Sequence, residues 1–147
     1  MIRFDDLGYI TPYEVHELTL GEFERTFVID SERERLFKAL MNFVLDLKNL
    51  GAGEFYIWVD GSFATKKRIP GDIDLVAFLS EKPYQRITHQ LALLSSQYKD
   101  NLDAFFVVEY PENHPDFNIT IVQKMKWHEL FGFDRQGNRK GLVKLNF

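Results

Sequence analysis

The sequence predicts an α/β (α+β) fold: a small mixed β-sheet with helices packed mainly on one face. Three observations lead there. Apolar runs of strand length occur at residues 55–59, 75–79 and 102–110, the last rich in β-branched and aromatic side chains. Two stretches have helical period, one through Leu36, Phe37, Leu40, Met41, Val44 and Leu47, the other through Ile87, Leu91, Leu94 and Tyr98. The second of these lies between two strand runs, where a helix would serve as a crossover.

Taken in order, residues 1–18 read as irregular, with a turn near Gly8 and Pro12. Thr19-Leu20-Gly21-Glu22 has capping-box spacing, and Leu20, Phe23 and Phe27 suggest a short helix packed on the core. Ser31-Glu32-Arg33-Glu34 repeats the box, so a longer helix is expected over about 32–49, with Gly51 as its stop. The run 55–59 is apolar on both faces, as a central strand would be. Pro83 marks the start of a helix over about 84–98, with His89 among its exposed positions. A strand over 102–110 would place Asp103, Phe105, Val107 and Glu109 on one face. A loop with a solvent-facing His114 follows. Residues 117–125 are ambiguous. Ile119 and Ile121 alternate like a strand, whereas Trp127, Leu130 and Phe131 suit a short helix ending at Gly132. The run Asp134-Arg135-Gln136-Gly137-Asn138 reads as a turn, and Val143, Leu145 and Phe147 alternate as a terminal strand.

Composition sets the outer limits. A chain of 147 residues is expected to form one domain over 1–147, with its motif core at about 32–110. Hydrophobic residues make up 45%, including 14 phenylalanines, enough for a substantial core. A net charge of −4 argues against a general nucleic-acid binder while leaving room for a local basic groove. Without cysteine there is neither a disulfide nor a thiolate zinc site. No run reaches membrane-spanning length, and the first residues lack a signal-peptide pattern, so a cytoplasmic protein with no membrane partner is expected.

The chemistry concentrates in residues 54–79. An apolar run leads into Gly61-Ser62. A basic segment follows, Lys66, Lys67 and Arg68, then a Pro70-Gly71 turn, and Asp72-Ile73-Asp74 opens the next apolar run. Strand alternation puts Asp72 and Asp74 on one face. Two carboxylates held that close repel each other unless a cation sits between them, and hard oxygen donors select Mg2+ or Mn2+ over Zn2+. Gly61 lets the backbone approach a phosphate, and Ser62 adds a hydroxyl. One or more of Lys66, Lys67 and Arg68 would bind the phosphates, although each alone also fits a solvated loop. Asp60 reads most simply as a solvated or capping residue. Arg135, Arg139 and Lys140 fit a second basic rim or a solvated turn equally well.

Gly61-Ser62, nine intervening residues and Asp72-Ile73-Asp74-Leu75 resemble the signature of the DNA polymerase beta-like nucleotidyltransferase superfamily. The likeness is nearest to its short, largely uncharacterised bacterial and phage members, through VDGSFATKK, PGDIDL and the tail FGFDRQGNRKG. The resemblance implies that Asp72 and Asp74 bind two divalent metals with a third carboxylate from a later strand. Asp103 is the candidate for that carboxylate, and Glu109, at the far end of the same strand, is the alternative. It further implies a nucleoside triphosphate, ATP among the candidates, held by Gly61, Ser62, Lys66 and Lys67. Its nucleoside monophosphate would pass to a hydroxyl on a protein, an RNA or a small molecule. The alternative expectation is a catalytically silent module of the same fold, acting with a partner protein or as a homodimer, for instance in a toxin–antitoxin pair. The spacing also argues against haloacid-dehalogenase phosphatases and D-x-D glycosyltransferases, whose aspartates follow a buried strand where these precede one.

Overall fold

The computed structural model describes residues 2–60, 62–66 and 70–147, and for Ser62 the backbone alone. Two very short strands, β1 (Arg3–Phe4) and β2 (Ile10–Thr11), pair antiparallel. The main sheet is built from β3 (Val15–Glu17), β4 (Phe55–Asp60), β5 (Ile73–Ser80), β6 (Leu102–Glu109) and β7 (Leu142–Asn146), in the order β3-β7-β4-β5-β6. It is mixed: β3 runs parallel to β7 and β5 to β6, while β4 is antiparallel to both of its neighbours. The expected α+β class, with a small mixed sheet, is therefore the fold observed.

Each face of the sheet has its own core. Odd-numbered residues of β4 and β5 (Phe55, Ile57, Val59, Ile73, Leu75, Ala77 and Leu79) point into the larger core. Three helices cover that side: α1 (Leu20–Phe27), α2 (Ser31–Leu50) and α3 (Glu81–Gln97). The even-numbered Trp58, Val76 and Phe78 face a smaller core with Trp127 and Phe131 of α4 (Phe117–Phe131). Helices thus lie three to one, mainly on one face as expected.

The first two helices begin close to where their capping signals predict, with one change of cap. Thr19 forms the full capping box, accepting from the Glu22 amide at 3.2 Å while Glu22 accepts from the Thr19 amide at 2.8 Å. For α2 the N-cap is Asp30, whose Oδ1 accepts from the Arg33 amide at 2.8 Å; Ser31 is already helical. Aspartate caps as well as serine, so the neighbour one residue earlier took the place. Gly51 ends α2 in the left-handed region at φ 105°.

Two expectations are overturned and one ambiguity is resolved. The first 18 residues are not simply irregular: β3 joins the main sheet beside β7, and Tyr9 bridges to Thr65. Strands of two or three residues are too short to show alternation, and the partner of β3 lies near the other end of the sequence. Residues 117–131 form one helix. Its buried side chains are Thr120, Trp127 and Phe131, while Ile119, Ile121, Val122 and Met125 are exposed. Apolar residues on both sides of the helix erase the 3.6-residue period, and the β-branched run imitates a strand. His114 is half-buried, with Nε2 3.1 Å from Glu81 and its ring stacked on Tyr110, instead of facing solvent. Among the described residues, no helix is long and apolar enough to cross a membrane.

Candidate active site

The register of the sheet assembles the site. Asp60 at the end of β4 lies directly opposite Asp74 near the start of β5, and Asp74 lies directly opposite Asp103 near the start of β6. Residues opposite each other in a ladder share a face. Three carboxylates therefore form a row across three adjacent strands. They stand on the α4 face, as parity with Trp58, Val76 and Val107 requires. Asp72 precedes β5 by one residue, and its field acts on Asp74. The alignment of Asp103 with Asp74 is the one the sequence needed for a third acid. Glu109 is engaged at the other end, accepting from Tyr56 Oη at 2.9 Å and from Lys124 Nζ at 2.8 Å.

Electrostatics show the strain of this row. Burial, then the charges of Asp72, Asp60 and Asp103, push the Asp74 carboxyl up to about 6, with Lys140 opposing. Asp72 is raised by burial and by Asp103. Charges so placed would be relieved by a cation. All the donors are carboxylate oxygens, which suits Mg2+ or Mn2+. Among the described residues, however, no group of three or more acids or histidines is close enough to form a metal cage. Mg2+ does not require one, since it is commonly held by one or two carboxylates with water and substrate phosphates completing its shell. Asp72 and Asp74 fit that role; Asp103 is more exposed, on the edge strand.

Asp60 is where the sequence reading needs correction. It is neither solvated nor a simple cap: it is 5% exposed, and its Oδ1 lies 2.8 Å from Lys140 Nζ. Lys140, read as part of a rim or a solvated turn, is drawn into the site by the chain on either side of it. Its amide donates to the Gly132 carbonyl at 2.9 Å, and the Gly141 amide donates to Ile10 at 2.9 Å. A Cβ on Gly141 would lie 2.9 Å from that same Ile10 oxygen, so only glycine permits the approach.

A pocket of about 560 Å³ opens beside Asp74 and Asp60, closed by Tyr9, Thr65 and the segment 130–140. The expected turn is tied together through Asp134. Asp134 accepts from the amides of Gln136 and Asn138 at 2.9 and 2.8 Å, and from the Asn138 side chain at 3.0 Å. It also accepts from Tyr9 Oη at 2.8 Å. These bonds hold the Asp134 carboxyl well below its ordinary range, and burial with Asp134 pushes the Tyr9 phenol up to about 12.

The phosphate turn is described in part. Ser62–Ala64 form a single 3-10 turn with Phe63 and Ala64 buried, whereas Gly61, Lys67, Arg68 and the Ser62 side chain lie outside the described residues. Lys66 is exposed with its Nζ 4.6 Å from the Phe4 ring centroid, and it does not line the pocket. Behind the turn stands Arg33, a residue the sequence reading treated only as part of a helix start. It is fully buried and donates to the carbonyls of Phe27 at 3.2 Å, Phe63 at 2.7 Å and Thr65 at 2.9 Å. Nothing in its local sequence distinguishes it from the neighbouring solvated charges; two of its partners lie about thirty residues away.

Residues 2–146 match a family of unknown function (DUF6932), and the chain belongs to that family. No curated protein and no solved structure matches the chain.

Proposed function

We propose that this member of a family of unknown function is a metal-dependent nucleotidyltransferase, moving a nucleoside monophosphate from a nucleoside triphosphate to a hydroxyl acceptor. The observation that carries the reading is the carboxylate row: Asp60, Asp74 and Asp103 in register across β4, β5 and β6, with Asp72 beside them. A repulsive row at the mouth of a pocket is costly in a structural domain. It suits a site that works with bound cations.

Asp72 and Asp74 would hold Mg2+ or Mn2+. When bound, the cation supplies charge to the α-phosphate and to the leaving pyrophosphate, and acidifies the acceptor hydroxyl. Gly61 and Ser62, with Lys67, would hold the triphosphate, while Lys66 Nζ lies over the Phe4 ring outside the pocket. The acceptor oxygen forms a bond to the α-phosphorus as the bond to the β-phosphate oxygen breaks. Asp103, exposed on the edge strand, would take the hydroxyl proton and release it to solvent. Protein, RNA and small-molecule hydroxyls all fit this chemistry.

A second reading draws on a different observation. Ile121, Val122 and Met125 leave an apolar face of α4 exposed. A catalytically silent module that works through a partner protein, a second copy of itself or the other half of a toxin–antitoxin pair would use such a face. One experiment separates the two readings. The protein is incubated in a bacterial lysate with each α-labelled nucleoside triphosphate and Mg2+ or Mn2+, beside an Asp72→Ala/Asp74→Ala variant. The enzyme reading expects labelled product from wild type alone. Metal-dependent nucleotide binding without label transfer would favour the silent module.

A further inference from the structure

The pocket beside Asp74 contains a lysine whose placement asks for an explanation. Lys140 Nζ and Asp60 Oδ1 are 2.8 Å apart, with side chains 11% and 8% exposed. Lysine is seldom buried so deeply. Nor is such a pair an efficient stabiliser: desolvating both charges offsets most of their attraction, and an apolar pair of similar size often does as well. Lys140 also shares the pocket with Arg135, and it opposes the carboxylate row from within.

The charges around this pocket favour one class of ligand. Asp60, Asp74 and Asp134 face Lys140 and Arg135, three carboxylates against two cations, a net charge of −1. A bare anion would be repelled. One divalent cation on the carboxylate side reverses the sign, so the pocket then accepts an anion on its Lys140 side. Lysine suits phosphate oxygens as a compact point charge.

We propose that the pocket bounded by Thr65, Lys140 and Arg135 takes the phosphate chain of the nucleotide as its metal complex, with Lys140 as the fixed cation that binds it. This inference rests on the nucleotidyltransferase reading, and Lys140 takes the role expected above of Lys66 and Lys67. Lys66 reaches over Phe4 instead of into this pocket. The Asp134 hydrogen bonds and the Phe133–Arg139 bridge already fold the 133–139 segment so that Lys140 stands at the pocket.

The test is calorimetric binding of inorganic tripolyphosphate, with and without Mg2+. Lys140→Met alone strips a buried carboxylate of its lysine and risks the fold. The informative variant is therefore Asp60→Asn/Lys140→Met, which removes both charges, read against Asp60→Asn alone. Lys38→Met, an exposed lysine on α2, controls for general charge. Wild type is expected to bind only with Mg2+. The double variant is expected to bind at least about tenfold more weakly than Asp60→Asn, the loss of one charge-assisted contact. Lys38→Met should bind as wild type does. If the double variant binds as tightly as Asp60→Asn, Lys140 has no such role, although the nucleotide reading survives. If wild type binds nucleoside triphosphates but not tripolyphosphate, the pocket is not the phosphate seat. Failure of wild type to bind either one overturns both this inference and the reading beneath it.

Discussion

An Asp74→Asn variant should be more heat-stable than wild type in the absence of divalent cations, and should have lost nucleotide transfer. The stability effect follows from linkage. The folded-state value of Asp74 is about 6, against an ordinary 3.8, so between those limits the folded protein holds a proton that the unfolded chain has released. Stability from this group is therefore highest near pH 4 and falls as pH rises toward 6. At pH 7 the full penalty of an ionised, half-buried carboxylate is present. A shift of that size corresponds to roughly 3 kcal/mol, and partial exposure with solvent screening reduces it to about 1–2 kcal/mol. Asparagine keeps the shape and removes the charge. Its melting temperature should exceed that of wild type by roughly 5 °C at pH 7, with the gap closing toward pH 4. Added Mg2+ should stabilise wild type more than the variant. Transfer should fall by a factor on the order of a thousand, the scale for losing a group that stabilises transition-state charge. Calorimetric scans across pH 4–8 and the label-transfer assay provide both readouts. A variant no more stable than wild type at pH 7, with normal transfer, would mean that Asp74 is an ordinary surface carboxylate.

Arg33→Met should destabilise the fold by about 3–5 kcal/mol, the range for breaking a buried charged network. Three carbonyls, those of Phe27, Phe63 and Thr65, depend on that guanidinium, and its carbon Cζ lies 5.1 Å from the centre of the Phe63 ring. Methionine fills part of the space but donates nothing, so the carbonyls stay buried without those donors. Arg33→Lys should recover little, because one ammonium cannot reproduce a planar fork spanning three acceptors. The two carbonyls at 63 and 65 flank the end of the phosphate turn, and this gives the substitution a functional reading as well. In Arg33→Lys, nucleotide affinity should fall by a larger factor than the fraction of folded protein does. Urea denaturation with tryptophan fluorescence, alongside nucleotide titration, measures the two separately. A midpoint unchanged within error in Arg33→Met would show that the buried guanidinium is dispensable.

Local signals made most of the sheet and three helices legible in the sequence. Runs 55–59, 75–79 and 102–110 became β4, β5 and β6, with ends that differ by at most two residues. The D-x-D alternation and the later strand correctly placed Asp74 and Asp103 on a common face, because parallel pairing of β5 with β6 needs no more than the crossover helix between them. What stayed hidden is non-local. Tyr9 meets Thr65 and Asp134 across most of the chain, Arg33 reaches residues 63 and 65, and Lys140 reaches Asp60. Each of these is a polar residue in a stretch whose composition reads as solvated surface, and its partners lie on other parts of the chain. Helix α4 was obscured for another reason: the apolar side chains it exposes masked the stripe it buries.

The proposed activity stands or falls on the aspartate row as a divalent-cation site serving a nucleotide. Mn2+ binding followed by electron paramagnetic resonance, with and without a nucleoside triphosphate, tests it most directly, because it needs neither the acceptor nor a partner. Wild type should bind Mn2+, the nucleotide should tighten that binding, and Asp72→Asn and Asp74→Asn should each weaken it by tenfold or more. Absence of Mn2+ binding in wild type, or binding untouched by both substitutions, would contradict the claim.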